Sequence, residues 1–281
     1  MKPCKLLVAI ALFLLIQINS LAQNAKSFSI VKTGSGKQNI IFIPGYSCSG
    51  KVWDETLQTI SKNYTCHVIT FSGFAGEKPQ ANPILATWVS DLATYIKEEK
   101  ISKPIVIGHS LGGGIAAWLA ADYPSLLSKI IIVDALPSLS AFYNPSFVAQ
   151  QTLDCSPFVK QFTAMNDEQF YAMQKTNMPM LLSNASKLET VIGWSVKSDR
   201  NTLAQIYCQF LNTDLRSKLS SVTCEALVML EPSFKQNDAG IQEQYKLLAN
   251  KTIKYASKGL HFIMYDDQEW FLNELKQFLI K

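Results

Sequence analysis

Pro104-Ile105-Val106-Ile107 runs without a break into Gly108-His109-Ser110-Leu111-Gly112, and Gly113-Gly114-Ile115-Ala116-Ala117 follows at once. The first run reads as a buried strand, and the small residues from Gly112 to Ala121 read as a tightly packed helix stopped by Tyr123-Pro124. Between them stands a G-x-S-x-G pattern. A serine at the tip of a sharp strand-to-helix turn takes a strained backbone that lifts its hydroxyl clear of a sheet. Glycines two residues before and after remove side chains that would collide across that turn. The free N–H groups at the start of the helix point at the same spot and favour developing negative charge there. A dinucleotide fingerprint does not fit Gly108 to Gly113, and the Gly-Lys-Ser/Thr of a phosphate-binding loop is absent.

Working outward, the same alternation repeats on both sides. Asn39-Ile40-Ile41-Phe42-Ile43 is a strand run ended by Pro44-Gly45, followed by a helical stretch around Val52 to Ser61. Cys66 to Phe71 is the next strand, and Ile84 to Glu99 is an amphipathic helix carrying Leu85, Trp88, Val89, Leu92 and Ile96 on one face. Lys129 to Val133 is a strand, then the pattern breaks. Residues 137–220 offer no good strand and are rich in Met, Gln, Asn and Phe, so they read as an α-helical insertion. Glu225 to Leu230 and Thr252 to Tyr255 restore strands, with helices around Ala239 to Ala249 and Gln268 to Ile280. Fully apolar strands alternating with helices predict an α/β fold, a mostly parallel sheet covered by helices on both faces.

Composition narrows the class further. The chain has 281 residues, long enough for a sizeable core, with Lys+Arg 26 against Asp+Glu 22. A formal net charge of +4 with no concentrated basic run excludes a nucleic-acid partner. Lys2 and Lys5 precede an apolar run from Leu6 to Ile18, and Ser20-Leu21-Ala22 supplies small residues at −3 and −1. This is the pattern of a secretory signal peptide over residues 1–22 with cleavage after Ala22, which implies an exported chain, periplasmic or extracellular. The run falls short of the about 20 residues a membrane span needs, and no later segment is long and apolar enough, so no stable span is expected after cleavage. Five cysteines follow (Cys48, Cys66, Cys155, Cys208 and Cys224), an odd number that leaves at least one thiol free. No Cys/His spacing suits a metal, and no cofactor is expected. Nothing in the sequence fixes an oligomeric state.

The elbow around Ser110, the strand order and the insertion after Lys129–Val133 together resemble the α/β-hydrolase superfamily, over nearly all of residues 23–281. The resemblance implies a core of residues 23–136 and 221–281, with 137–220 as a helical cap. It makes Ser110 the nucleophile. A serine needs a base, and the chain has three histidines. His67 lies inside a strand, and His109 on the elbow is expected to point away from Ser110. His261, in Lys258-Gly259-Leu260-His261-Phe262 after the last strand, occupies the loop where the family carries its catalytic histidine. Two backbone N–H groups should form the oxyanion hole. The resemblance assigns one to Leu111 and the other to Tyr46, in Pro44-Gly45-Tyr46, where family members carry His-Gly-x.

Asp134 is the expected triad acid, with Glu231 and Asp238 as alternatives. Relatives most often place it a few residues after their seventh strand, where this chain reads Leu230-Glu231-Pro232-Ser233-Phe234. Glu231 is slightly early there and Asp238 slightly late. A subset of the superfamily uses the end of the sixth strand instead, the position of Asp134. Both strand ends reach the same sheet edge, so either can serve the imidazole. Asp266, Asp267 and Glu269 read as helix-start residues that favour the dipole of the last helix. Met165, Met173, Met178, Met180, Phe162, Phe170, Tyr171 and Trp194 give the insertion an adaptable apolar lining, which favours a small, partly apolar acyl substrate. The resulting expectation is a serine hydrolase acting on an ester, thioester or amide. Two others compete: a ligand-binding protein on an inactive scaffold, and a carbon–carbon bond hydrolase or haloperoxidase-like variant.

Overall fold

The computed structural model of the protein describes residues 27–280, so segment 1–22, read as a signal peptide, lies outside the described residues. The strands are β1 (Phe28–Thr33), β2 (Gln38–Ile43), β3 (Tyr64–Phe71), β4 (Ile105–His109), β5 (Lys129–Val133), β6 (Glu225–Leu230) and β7 (Lys251–Tyr255). They form one sheet in the order β1-β3-β2-β4-β5-β6-β7. β1 pairs antiparallel with β3, and every other pair is parallel. The antiparallel edge strand is an element the sequence reading does not name. Most of its side chains are not buried, so it lacks the continuous apolar run that marks the inner strands.

The inner strands show why the fold forms. Ile41 and Ile43 of β2, Val106 of β4, and Ile130 and Ile132 of β5 pack into the core on one face. Their neighbours Ile40, Phe42, Ile105, Ile107, Ile131 and Val133 pack into the other. With both faces buried, alternate side chains must all be apolar. The first face is covered by α2 (Leu85–Glu98) and α3 (Leu111–Asp122), the second by α1 (Asp54–Ile60) and the C-terminal helix (Gln268–Ile280). Phe71 stacks on Trp88 with ring centroids 4.2 Å apart, clamping α2 to β3.

Between β5 and β6 the chain makes five α-helices and, among the described residues, no strand: α4 (Leu139–Tyr143), α5 (Ser156–Thr163), α6 (Asp167–Asn177), α7 (Ala185–Lys197) and α8 (Arg200–Leu211). α9 (Asp238–Gln244) follows β6, and α10 (Ile263–Asp266) and α11 (Gln268–Ile280) follow β7. α9 is shorter than the stretch to Ala249 expected from the sequence. The junction of α7 and α8 is fixed to the core: the Ala75 N–H donates to Ser198 Oγ at 2.8 Å and the Asp199 N–H to the Gly73 carbonyl at 2.8 Å.

Cys155, just before α5, is disulfide-bonded to Cys208 in α8, with Cα atoms 5.7 Å apart, while Cys48, Cys66 and Cys224 are buried free thiols. The bond closes a span of 53 residues, a constraint on the unfolded chain worth about 2–4 kcal/mol. Cys208→Ser is therefore expected to lower the unfolding free energy by that amount, read as a lower urea midpoint at an unchanged m-value. An unchanged midpoint would mean that the bridge does not form.

Candidate active site

Ser110 sits between β4 and α3 with φ 54° and ψ −122°, a backbone region that non-glycine residues rarely take. Its N–H donates to the Val133 carbonyl at 2.8 Å, and its carbonyl accepts from Gly113 N–H at 2.9 Å and Gly114 N–H at 3.1 Å. The glycines are required by the closeness of the turn. A β-carbon on Gly108 would lie 2.0 Å from the Gly112 carbonyl oxygen, and one on Gly112 would lie 2.5 Å from the oxygens of Ile43 and Pro44. Ser110 itself stays partly exposed. The N–H of Leu111 lies in the first turn of α3, where a helix leaves its N–H groups without intrahelical acceptors.

The loop after β2 passes directly beside Ser110. A β-carbon on Gly45 would stand 2.8 Å from His109 Nδ1 and 3.3 Å from Ser110 Cβ. The next residue, Tyr46, is anchored by its hydroxyl, which donates to the Leu203 carbonyl of α8 at 2.8 Å, and by ring contacts with Phe74 and Tyr207. Gly45→Ala must displace this loop or the elbow, and a shift of that kind is expected to lower kcat/KM on a simple ester by roughly 10²-fold. A rate close to wild type would contradict the close approach. Cys48, in the same loop, is no rival nucleophile: burial pushes its thiol up to about 12.

His261 meets one carboxylate, that of Asp134. His261 Nδ1–H donates to Asp134 Oδ2 at 2.6 Å, with the imidazole side chain 23% exposed and the carboxylate side chain 1% exposed. Asp134 Oδ1 accepts the Glu231 N–H at 2.6 Å, so both oxygens are engaged. Asp134 lies just beyond β5 at φ 48°, and its own N–H donates to the Met229 carbonyl at 2.7 Å. The hydroxyl of buried Tyr245 donates to the carbonyl of the next residue, Ala135. The other two candidates are occupied elsewhere. Glu231 accepts from the Ser233 hydroxyl at 2.5 Å, and burial raises its carboxyl above the ordinary range. Asp238 is exposed and accepts from the Tyr255 hydroxyl at 2.5 Å.

The remaining histidines are structural. His67 is buried between the Tyr95 hydroxyl (2.7 Å) and Asn39 Oδ1 (2.9 Å). His109 is fully buried, and its Nε2–H donates to the His261 carbonyl at 3.0 Å, with the two rings 4.6 Å apart. A carbonyl only accepts, so Nε2 carries the proton and Nδ1 presents a bare lone pair. The sequence reading expects His109 to point away from Ser110 but misses this buttress, because nothing in G-x-S-x-G reports that the His261 carbonyl lies there. Burial, reinforced by His261, holds His109 well below the ordinary histidine value, and burial lowers His67 too. Both histidines thus stay uncharged in the folded state at pH values where the unfolded chain takes up the second imidazole proton. Their stabilisation is present above about pH 6.5 and is lost as pH falls below it. The urea midpoint is expected to drop between about pH 7.5 and 5.5, and by less in His67→Gln.

Asp267 stands at the start of the last helix, where its carbonyl accepts the Phe271 N–H at 2.9 Å, but the carboxylates of Asp266 and Asp267 do more than the helix-start role expected of them. Asp267 Oδ2 accepts from the Ser257 N–H at 3.0 Å, the Ser257 hydroxyl at 2.5 Å and the Lys258 N–H at 3.2 Å. Asp266 accepts from the Leu260 N–H at 2.9 Å. Both carboxylates organise the His261 loop. Their position before an amphipathic helix suggests a cap alone, and only the fold shows that the carboxylates' donors come from upstream. Among the described residues no group of three or more His, Cys, Asp or Glu is arranged to hold a metal, and no helix is long and apolar enough to cross a membrane.

A serine elbow over a parallel sheet, with a histidine–aspartate pair on the same strand-end edge, is the hydrolase arrangement of this architecture. Residues 38–182, more than half of the chain, match the family described as the alpha/beta hydrolase fold, and the chain belongs to that family. It is 25% identical over 199 residues to pimeloyl-[acyl-carrier protein] methyl ester esterase of Vibrio cholerae, covering 69% of this chain and 75% of that one. The fold is shared with an esterase from Exiguobacterium antarcticum (TM-score 0.75, 17% identity, 90% of this chain and 96% of that chain). It is also shared with the enol-lactonase from Burkholderia xenovorans LB400 (TM-score 0.74, 14% identity, the same coverage). The protein is an enzyme of the carboxylic-ester-hydrolase kind.

Proposed function

We propose that the protein is an exported serine hydrolase that cleaves an ester, thioester or amide of a small, partly apolar acyl group through an acyl-enzyme on Ser110. The observation that carries this reading is the 2.6 Å hydrogen bond from His261 to buried Asp134, on the sheet edge that also holds the Ser110 elbow. Asp134 keeps the proton on Nδ1, so Nε2 is left with the lone pair that a general base needs. His261 Nε2 takes the Ser110 proton as Oγ attacks the carbonyl carbon. The N–H groups of Leu111 and Tyr46 hold the oxyanion, and the same proton then leaves on the alcohol. Water, deprotonated by His261 Nε2, attacks the acyl-enzyme, and the acid is released as that proton passes to Ser110 Oγ. Residues 137–220 serve as the cap over this site.

A small substrate is supported by the wall behind the elbow. Leu85, Leu111, Ile115, Leu136, Phe210 and Leu215 line a narrow apolar cavity of about 10 Å³. That is room for about one water molecule, so the wall beside Leu111 offers no channel for a long acyl chain on that side of the elbow. Kinetics on p-nitrophenyl esters of increasing acyl length test this. Acetate and butyrate should exceed decanoate in kcat/KM by at least about tenfold, and a preference for decanoate would refute it. Export is supported by the signal pattern of residues 1–22 and by the Cys155–Cys208 disulfide, a bond typical of oxidising compartments. The N-terminal residue of the protein recovered from outside the cytoplasm should be Gln23. An intact Met1 would count against cleavage.

A further inference from the structure

The carboxylate of Asp266 lies between two segments with no sequence proximity. Its Oδ1 accepts the Asn184 N–H at 2.8 Å, and both of its oxygens accept the Ser183 N–H, at 3.1 and 3.0 Å. Oδ2 also accepts the Leu260 N–H at 2.9 Å, immediately before His261. Ser183 and Asn184 form the turn that opens α7 in the helical insertion, with Asn184 as its N-cap. The same two segments are joined again by Phe262 N–H donating to the Leu181 carbonyl at 3.2 Å and Asn184 Nδ2–H donating to the Tyr265 carbonyl at 3.3 Å. Gly259 turns at φ 89°, and a β-carbon there would lie 2.4 Å from Asp266 Cβ, so the base loop closes directly onto this side chain.

Three backbone donors converging on one side chain need two acceptor oxygens, and an ionised carboxylate supplies them. An amide would offer one acceptor and turn an NH₂ group towards an N–H. On the other side of His261, its carbonyl is held by His109. The base is therefore gripped at the residue before it and at its own carbonyl, and the first of these grips is shared with the insertion.

We propose that Asp266 is a positioning residue that couples the helical insertion to His261, so that settling of the Leu181–Asn184 turn over a bound substrate also sets the imidazole for proton transfer. This rests on His261 being the base. The test uses Asp266→Ala and Asp266→Asn in the full chain. Expected are a fall in kcat of about 10- to 100-fold with KM changed far less, a broadened downfield Nδ1–H resonance of His261, and an unchanged circular dichroism spectrum. The asparagine variant, with one acceptor left, should fall between alanine and wild type. Wild-type kcat and an unaltered imidazole resonance in folded variants would overturn the proposal and leave Asp266 a purely structural residue.

A second measurement needs no variant. In the wild-type protein the amide protons of Ser183, Asn184 and Leu260 should exchange through one common opening, with the same dependence on denaturant. Independent openings would overturn the coupling. If the wild-type protein shows no serine reactivity at all, the enzymatic reading fails, while the exchange result still decides whether the insertion and the base loop move together.

Discussion

Ser110→Ala is expected to lower turnover of a simple ester by about 10⁶-fold. The substitution leaves the β-carbon, the backbone and the glycine contacts of the elbow in place, and so removes only the oxygen that forms the acyl-enzyme. The residual rate should come from the oxyanion donors and substrate binding alone. A companion variant separates strain from chemistry. Ser110 holds φ 54° and ψ −122°, a conformation that costs a non-glycine residue about 1–3 kcal/mol. Ser110→Gly relieves that strain, partly offset by greater chain entropy in the unfolded state. It should be inactive, and about 1 kcal/mol more stable than Ser110→Ala. Substantial ester turnover in either variant would remove Ser110 from the mechanism.

The second large effect is expected from Asp134→Asn, and its direction follows from the neighbouring hydrogen bonds. The Glu231 N–H points at Oδ1 at 2.6 Å, so an asparagine must place its carbonyl oxygen there. Its NH₂ group then faces His261 Nδ1, which has to become an acceptor. The ring proton moves to Nε2, the atom that must be free to take the Ser110 proton. This is the wrong tautomer, and the corresponding change in another triad enzyme costs about 10⁴-fold in kcat. The same loss is expected here, measured on p-nitrophenyl acetate, with the unfolding midpoint little changed because the substitution is nearly isosteric. A loss below about tenfold would point to Glu231, whose backbone already touches Asp134 and whose burial keeps its carboxyl raised.

These expectations also mark where sequence reading succeeds and where it stops. The inner strands and the elbow are legible because their constraints are local. Ile40 to Ile43 must be apolar on both faces, and Gly108 and Gly112 sit where side chains would strike backbone within the same turn. β1 is not legible, because a one-sided edge strand such as Phe28–Thr33 carries no such run. His261 could be singled out among three histidines by its place after the last strand. Its partner could be favoured as Asp134 but not fixed, since Asp134, Glu231 and Asp238 all follow strand ends on one edge, and only the register between β5 and β6 decides which oxygen reaches the ring. The pairing of Cys155 with Cys208 and the grip of Asp266 on Leu260, Ser183 and Asn184 join residues far apart in the chain. No spacing rule reports contacts of that kind.

The central claim, that Ser110 is a nucleophile activated by the His261–Asp134 pair, is tested most directly by reacting the folded protein with a fluorophosphonate and mapping the modified residue by peptide mass spectrometry. One adduct is expected, on Ser110, formed rapidly in the wild-type protein and strongly slowed in Asp134→Asn. An adduct on another residue, or none on the folded wild-type protein, would contradict it.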